Sequence, residues 1–354
     1  MRGRPSAAAI LLCHLAAAFA QTPGDARRGR EIFRSAGCLQ CHERSFDSGA
    51  FFRARPEYLT ARAGLAAAMW KHAPLLRRES LTVPVTERDA ADLFSYLYAN
   101  AMAARARRTN HARAVLASKR CARCHSPSAR DLPPPASFSA LARIAWNHAA
   151  RASPARPRLP KLTEADAWKL IGWVVAGPGQ GRWIDYHPLE PEEGRRVYER
   201  KGCTGCHRYP PANRFPARSP ARFLAALWNH ASYGARGPSL SDEELRRLLG
   251  YFWAIHYFDE RGDAAVGRSL FHKKHCAGCH EDLAGGAPRL GGGRRRSGMW
   301  LIARLGEHGP VMYERVREAG FAWPRLSPLE AADILAYLNS LKSLRLRRSP
   351  APVR

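Results

Sequence analysis

The chain is short of acid, of methionine and of any strand pattern. Its 57 lysines and arginines face only 30 aspartates and glutamates, for a formal net charge of +27. Such an imbalance favours an acidic protein partner or an anionic membrane face. No alternation of apolar and polar residues is sustained, which excludes a sheet-based fold and leaves short helices. Beyond the first twenty residues no stretch reaches the roughly 20 apolar residues that cross a bilayer. Methionine occurs five times, once as the initiator. Of nine cysteines only Cys13 stands outside a repeated pattern.

The first residues have the layout of an export signal. Arg2 and Arg4 precede a mostly apolar run from Ala7 to Phe19, and Ala18-Phe19-Ala20 supplies small residues at a cleavage site. Residues 1–20 are expected to be removed, Cys13 with them, leaving Gln21 first and the protein in the periplasm. The competing readings are a retained membrane anchor and a lipidated Cys13. Against the latter, Leu12 is bulkier than the small residue usual before a lipidated cysteine.

What the chain does have is Cys-x-x-Cys-His, four times over: Cys38/Cys41/His42, Cys121/Cys124/His125, Cys203/Cys206/His207 and Cys276/Cys279/His280. This is the attachment pattern of c-type haem, with two thioether cysteines and an adjacent proximal histidine. A lone Cys-x-x-Cys also suits a dithiol switch or half a zinc site. Four copies, each followed by His in an exported chain, favour four covalently attached haem c groups. Iron carried in this way also removes nucleic acid from the expected partners, despite the basic surface.

The first cysteines lie 83, 82 and 73 residues apart, room for a small haem-stapled domain in each interval. Other positions recur in step. Nine residues before each motif stand Gly29, Ala112, Gly194 and Gly267, and five before it Phe33, Leu116, Tyr198 and Phe271. Four residues apart, they share one face of a helix. Each repeat ends in a capped helix: Thr86 with Asp89, Thr163 with Asp166, Ser241 with Glu244, Ser327 with Glu330. The Ser/Glu pairs form capping boxes, and the Thr/Asp pairs read as weaker versions. Tyr96, Trp173, Tyr251 and Tyr337 follow within these helices, and core packing explains them better than electron relay. The predicted segments are 21–104, 105–182, 183–259 and 260–345, with a basic tail over 346–354.

The second axial ligand is less evident. After the leader only Met69, Met102, Met299 and Met312 remain, too few in equivalent places to serve four sites. The repeat offers histidine instead, in Trp70-Lys71-His72, Trp146-Asn147-His148 and Trp228-Asn229-His230. We expect bis-histidine ligation in the first three repeats. The competing reading places these histidines beside haem propionates. In the fourth repeat Gly306-Glu307-His308 replaces the tryptophan motif, and Met312 is preferred to His308 as ligand. His111, His272 and His275 are further candidates from neighbouring repeats.

Taken together, the haem motifs, the Gly/aromatic helices before them and the final helices bearing Tyr96, Tyr251 and Tyr337 resemble the class I cytochrome c family in tandem multihaem form. The resemblance implies a mainly α fold: four small helical domains, each wrapped around a covalent haem. It also implies one-electron shuttling through the periplasm, to or from redox proteins such as a membrane oxidoreductase or terminal reductase. The basic charge adds acidic or membrane-bound redox proteins as expected partners, and a subunit of a respiratory or other electron-transfer complex is an open role. A tetrahaem electron carrier is the leading reading. A multihaem redox enzyme with one open iron, acting on peroxide or a small oxyanion, is the alternative. A structural wiring subunit of a larger complex is the third.

Overall fold

The computed structural model describes residues 24–42, 58–59, 61–121, 124–125, 133–150, 159–177, 191–207, 219–230, 237–252, 262–281, 287–288, 290 and 296–346. The leader over 1–20 with Cys13, residues 347–354 of the basic tail, and the greater part of the loops rich in Pro, Ala, Gly and Arg that the sequence indicates near Pro154–Pro160 and Gly234–Pro238 fall outside them.

The protein is mainly helical, and the described residues contain no strand. The helices are α1 (Ala26–Ser35), α2 (Arg62–Arg78), α3 (Glu87–Arg107), α4 (Ala112–Ser118), α5 (Phe138–Ala150), α6 (Glu164–Ala176), α7 (Pro191–Arg200), α8 (Pro220–Asn229), α9 (Asp242–Phe252), α10 (Ala264–Lys273), α11 (Cys276–His280), α12 (Gly298–Glu318) and α13 (Pro328–Leu346). A 3-10 turn covers Cys203–Gly205. No described helix is long and apolar enough to cross a membrane.

Two compact units emerge. One combines Arg27–Tyr98 with Asp259–Arg354; the core of the other is Ala99–Phe258. The first and fourth haem motifs therefore share a unit, and the second and third share the other.

One local arrangement recurs in both units: the helix before a haem motif crosses the final helix of the same repeat. At the crossing, glycine is required by contact. A Cβ on Gly29 would lie 2.0 Å from the Asp92 carbonyl oxygen, one on Gly194 2.1 Å from that of Arg247, and one on Gly267 1.9 Å from that of Asp333. One turn on, aromatic rings pack: Phe33 with Tyr96 at 6.0 Å, Tyr198 with Tyr251 at 5.7 Å, Phe271 with Tyr337 at 5.5 Å between centroids. Pairs of this kind add about 0.5–1.5 kcal/mol beyond their buried area. The second repeat solves the crossing differently. Ala112 is buried at the glycine position, and Gly172 of the final helix approaches the end of α3 and the turn before α4 instead, where its Cβ would lie 2.5 Å from the Ala106 carbonyl oxygen and 2.9 Å from the Asn110 Cα. There Val115 is buried while Leu116 is only partly so.

The final helices start as their sequences indicate, with one difference. The Thr/Asp boxes are as complete as the Ser/Glu ones. Asp89 accepts from the Thr86 N–H at 3.0 Å while Thr86 Oγ1 accepts from the Asp89 N–H at 3.1 Å. Thr163 and Asp166 do the same at 2.9 and 3.1 Å. Each reciprocal pair satisfies two donors that a helix start otherwise leaves open.

In the unit of Arg27–Tyr98 and Asp259–Arg354, α2 and α12 run in parallel register. Gly298 faces Arg62, Gly306 faces Met69 and Val83, and Gly309 faces Ala73. Small residues on α12 thus allow close approach along its length. Farther along, Arg77 pairs with Glu314 at 2.5 Å. Ala63 and Ala67 of α2 also pack on Ala331 and Ala332 of α13. In the unit of Ala99–Phe258, α5 and α8 pack on one another, and each also packs on the other repeat's final helix, α5 on α9 and α8 on α6.

Candidate functional site

The described residues of the four Cys-x-x-Cys-His segments share one local form. The residue before the first cysteine is left-handed in each: Gly37 (φ 77), Arg120 (φ 53), Gly202 (φ 70) and His275 (φ 63). A helical turn follows. The His42 and His125 N–H groups donate to the Cys38 and Cys121 carbonyls at 3.1 Å, and His207 N–H to that of Cys203 at 2.9 Å. In the fourth segment the turn is helix α11 itself. Cysteines three apart and a histidine one residue on then share a face. None of these eight cysteines is in a disulfide. Burial pushes Cys38 and Cys276 up to about 11 and raises Cys121 and Cys203. A redox dithiol needs the opposite shift.

A lysine anchors the turn in three repeats. Lys119 bonds the Lys161 carbonyl at 2.8 Å and the Asp166 carboxylate at 2.9 Å. Lys201 does so with Ser239 and Glu244 at 3.0 and 2.8 Å, and Lys274 with Arg325 and Glu330 at 2.6 and 2.8 Å. Each therefore ties the haem motif to the cap of the final helix. The first repeat has Ala36 at this position and uses Arg28 to Asp89 at 2.8 Å instead. The signal was in the sequence, as a lysine two residues before the first cysteine in three of four motifs, and was missed.

The repeated histidines face the motif histidines. His42 Nε2 and His72 Nε2 are 3.4 Å apart, with ring centroids at 5.7 Å. His125 and His148 have centroids at 5.8 Å, and His207 and His230 at 6.2 Å. Two metal–imidazole bonds of about 2 Å would place facing nitrogens ~4 Å apart, so these pairs suit a shared iron. The rear nitrogens of two of them are engaged. His72 Nδ1 lies 2.6 Å from the Ala68 carbonyl oxygen and His148 Nδ1 2.8 Å from that of Ile144. A backbone carbonyl on Nδ1 fixes the tautomer that leaves Nε2 free for metal. Burial, then the neighbouring His72, lowers the His42 pKa, which favours the neutral imidazole that a metal would need.

The fourth site differs. His280 Nδ1 lies 3.0 Å from the Pro288 carbonyl oxygen, so its Nε2 too is directed away from the backbone contact. His308, the counterpart of His72, is 53% exposed and pairs with Glu307 at 3.4 Å. Met102 and Met299 are buried in the packing, and Met69 lies against Gly306. Met312 is half-buried on α12. The neighbouring candidates have other contacts or exposure: His272 approaches Glu281 at 3.5 Å, His275 stacks on Phe321 at 4.2 Å, and His111 is exposed before α4.

The fourth motif is also where the chain meets a known family. Residues 264–342 match the family model of cytochrome c. They hold a cytochrome c domain. Such a domain implies covalently bound haem c and haem-based electron transfer. Cys276, Cys279 and His280 lie within it, as do the Gly267–Asp333 crossing and the Phe271–Tyr337 pair. No curated protein and no solved structure matches the chain.

The donor set fits haem c. Two thiols and an imidazole share one face of a turn, and three turns have a second imidazole opposite. Haem c bound there supplies a one-electron iron couple whose potential follows its axial ligands and burial.

Proposed function

We propose that all four motifs carry haem c and that the protein is a periplasmic tetrahaem electron carrier, built from four cytochrome c-like modules and passing single electrons between redox partners. The observation that carries this reading is the His42–His72 pair at 3.4 Å, with His72 Nδ1 held by the Ala68 carbonyl. Like ring pairs stand at the second and third motifs, and all four motifs share the left-handed residue and the same turn. Cys38/Cys41, Cys121/Cys124, Cys203/Cys206 and Cys276/Cys279 hold the cofactors. His42, His125, His207 and His280 are the proximal ligands; His72, His148, His230 and Met312 are the distal ones.

The chain's own part is to position and to saturate. Carbonyls on the rear nitrogens of His72 and His148 keep Nε2 aimed at its partner ring, and the lysine anchors hold the motif turns against the final helices. Two axial ligands at each iron leave no coordination position for a substrate, which favours conduction over catalysis. The excess of basic residues suits an acidic partner protein or an anionic membrane face.

Electron paramagnetic resonance of the oxidised protein tests this directly. Wild type should show low-spin signals only, and His72→Ala, His148→Ala and His230→Ala should each convert one haem to a high-spin, ligand-binding site. A high-spin site in wild type that binds peroxide or a small oxyanion would replace the carrier by the enzyme.

A further inference from the structure

In the unit of Ala99–Phe258, each repeat reaches into the other's distal side. Trp228 belongs to the third repeat, yet its ring stacks on His148 of the second, at 5.3 Å between centroids and 26° between planes. Trp146 belongs to the second, and its ring lies 4.7 Å from that of His230 in the third. Both indoles are locked across the same boundary. Trp228 Nε1 donates to the Pro160 carbonyl and Trp146 Nε1 to that of Pro238, each at 2.7 Å.

The residues between tryptophan and histidine repeat the exchange. Asn147 pairs with the Leu240 backbone through both its amide groups, each at 3.0 Å. Asn229 pairs likewise with Leu162, at 2.8 and 2.9 Å. Trp-Asn-His is therefore a single device. Its first two residues grip the other repeat, and its histidine faces the motif of its own. Gly237 leaves room for the grip, because a Cβ there would lie 2.1 Å from the Trp146 ring.

We propose that Trp146 and Trp228 are crossed positioning residues: Trp228 sets the ring orientation of His148, and Trp146 that of His230, linking the two haem sites into one pair. The inference rests on the bis-histidine reading above. Ring orientation of an axial histidine sets the magnetic anisotropy of a low-spin iron, so the link is visible in spectra even where the fold is unchanged.

The test uses the full-length, haem-loaded protein. His148→Met and His230→Met first assign two of the low-spin signals; if neither changes any signal, the ligation reading itself fails, separately from this one. Trp228→Leu is then expected to shift the g-values of the signal assigned to His148 while leaving the one assigned to His230 in place. Trp146→Leu should do the reverse, and Trp228→Phe, which keeps a ring over His148, should restore most of the wild-type signal. Gly237→Val probes the same link without touching a tryptophan and should shift the His230 signal, which also serves if a leucine variant fails to accumulate. A change confined to the tryptophan's own repeat, or no change with four haems retained, overturns the proposal.

Discussion

His42 and His72 stand thirty residues apart in sequence and present their Nε2 atoms to each other at 3.4 Å. Replacing His72 by methionine exchanges a strong nitrogen donor for a thioether, which raises the potential of a c-type haem. His72→Met should raise one of four midpoint potentials in a spectroelectrochemical titration and leave the others nearly in place. The converse holds at the fourth site, where Met312→His should lower the highest midpoint. Four indistinguishable midpoints in wild type would contradict methionine ligation at the fourth haem alone.

Helix crossings set a second expectation. Gly194 lies where a Cβ would come within 2.1 Å of the Arg247 carbonyl oxygen and 2.6 Å of the Tyr251 Cβ. Backbone cannot move aside cheaply, so Gly194→Ala should cost about 1–3 kcal/mol, the usual range for overpacking. Denaturant melting of the haem-loaded protein measures it. Gly267→Ala should behave alike in the cytochrome c domain.

Two glycines of the third motif separate backbone conformation from space. Neither Gly202 nor Gly205 has an atom within 4 Å of a built Cβ, and only Gly202 is left-handed, at φ 70. Gly202→Ala should therefore lose about 1 kcal/mol, while Gly205→Ala should stay within about 0.5 kcal/mol of wild type. Equal melting temperatures for the two variants would contradict the strained turn.

Acid should loosen the final helices. Asp89 is held below the usual carboxylate range first by the Thr86 hydroxyl and then by Arg28. For Asp166, Glu244 and Glu330 burial pulls upward, but the cap N–H groups with Lys119, Lys201 and Lys274 prevail and the pKa values fall. Groups lowered in the folded state contribute stability that is complete above the ordinary carboxylate pKa of about 4 and is lost as pH falls through the lowered values. Helical circular dichroism should hold through neutral pH and decline below about pH 4. Lys201→Met removes one of the lowering groups, so its acid midpoint should move to higher pH than that of wild type.

Much of the local structure was legible in the sequence because it is encoded locally. The glycine and aromatic positions before Cys38, Cys203 and Cys276 marked real helix crossings, and the four caps began where Thr86, Thr163, Ser241 and Ser327 indicated. The pairing of repeats was not legible. It depends on contacts such as Trp70 Nε1 to the Pro324 carbonyl at 2.7 Å and the Trp70–Trp323 stack at 3.9 Å, between residues some 250 apart, and no periodicity names the distant carbonyl an indole will choose. A trace was present all the same. Pro160, Pro238 and Pro324 each stand three residues before the cap of a final helix, and the three tryptophans bond those very carbonyls. In the fourth repeat Gly306 replaces the tryptophan, and its carbonyl accepts the Val83 N–H at 3.1 Å.

Cofactor stoichiometry tests the central claim most directly. Pyridine haemochrome absorbance against protein concentration, with intact mass, should give four haems per chain and no titratable thiol at Cys38, Cys41, Cys121, Cys124, Cys203, Cys206, Cys276 or Cys279. One haem per chain, with six of these thiols free, would confine the cytochrome to residues 264–342 and contradict the account.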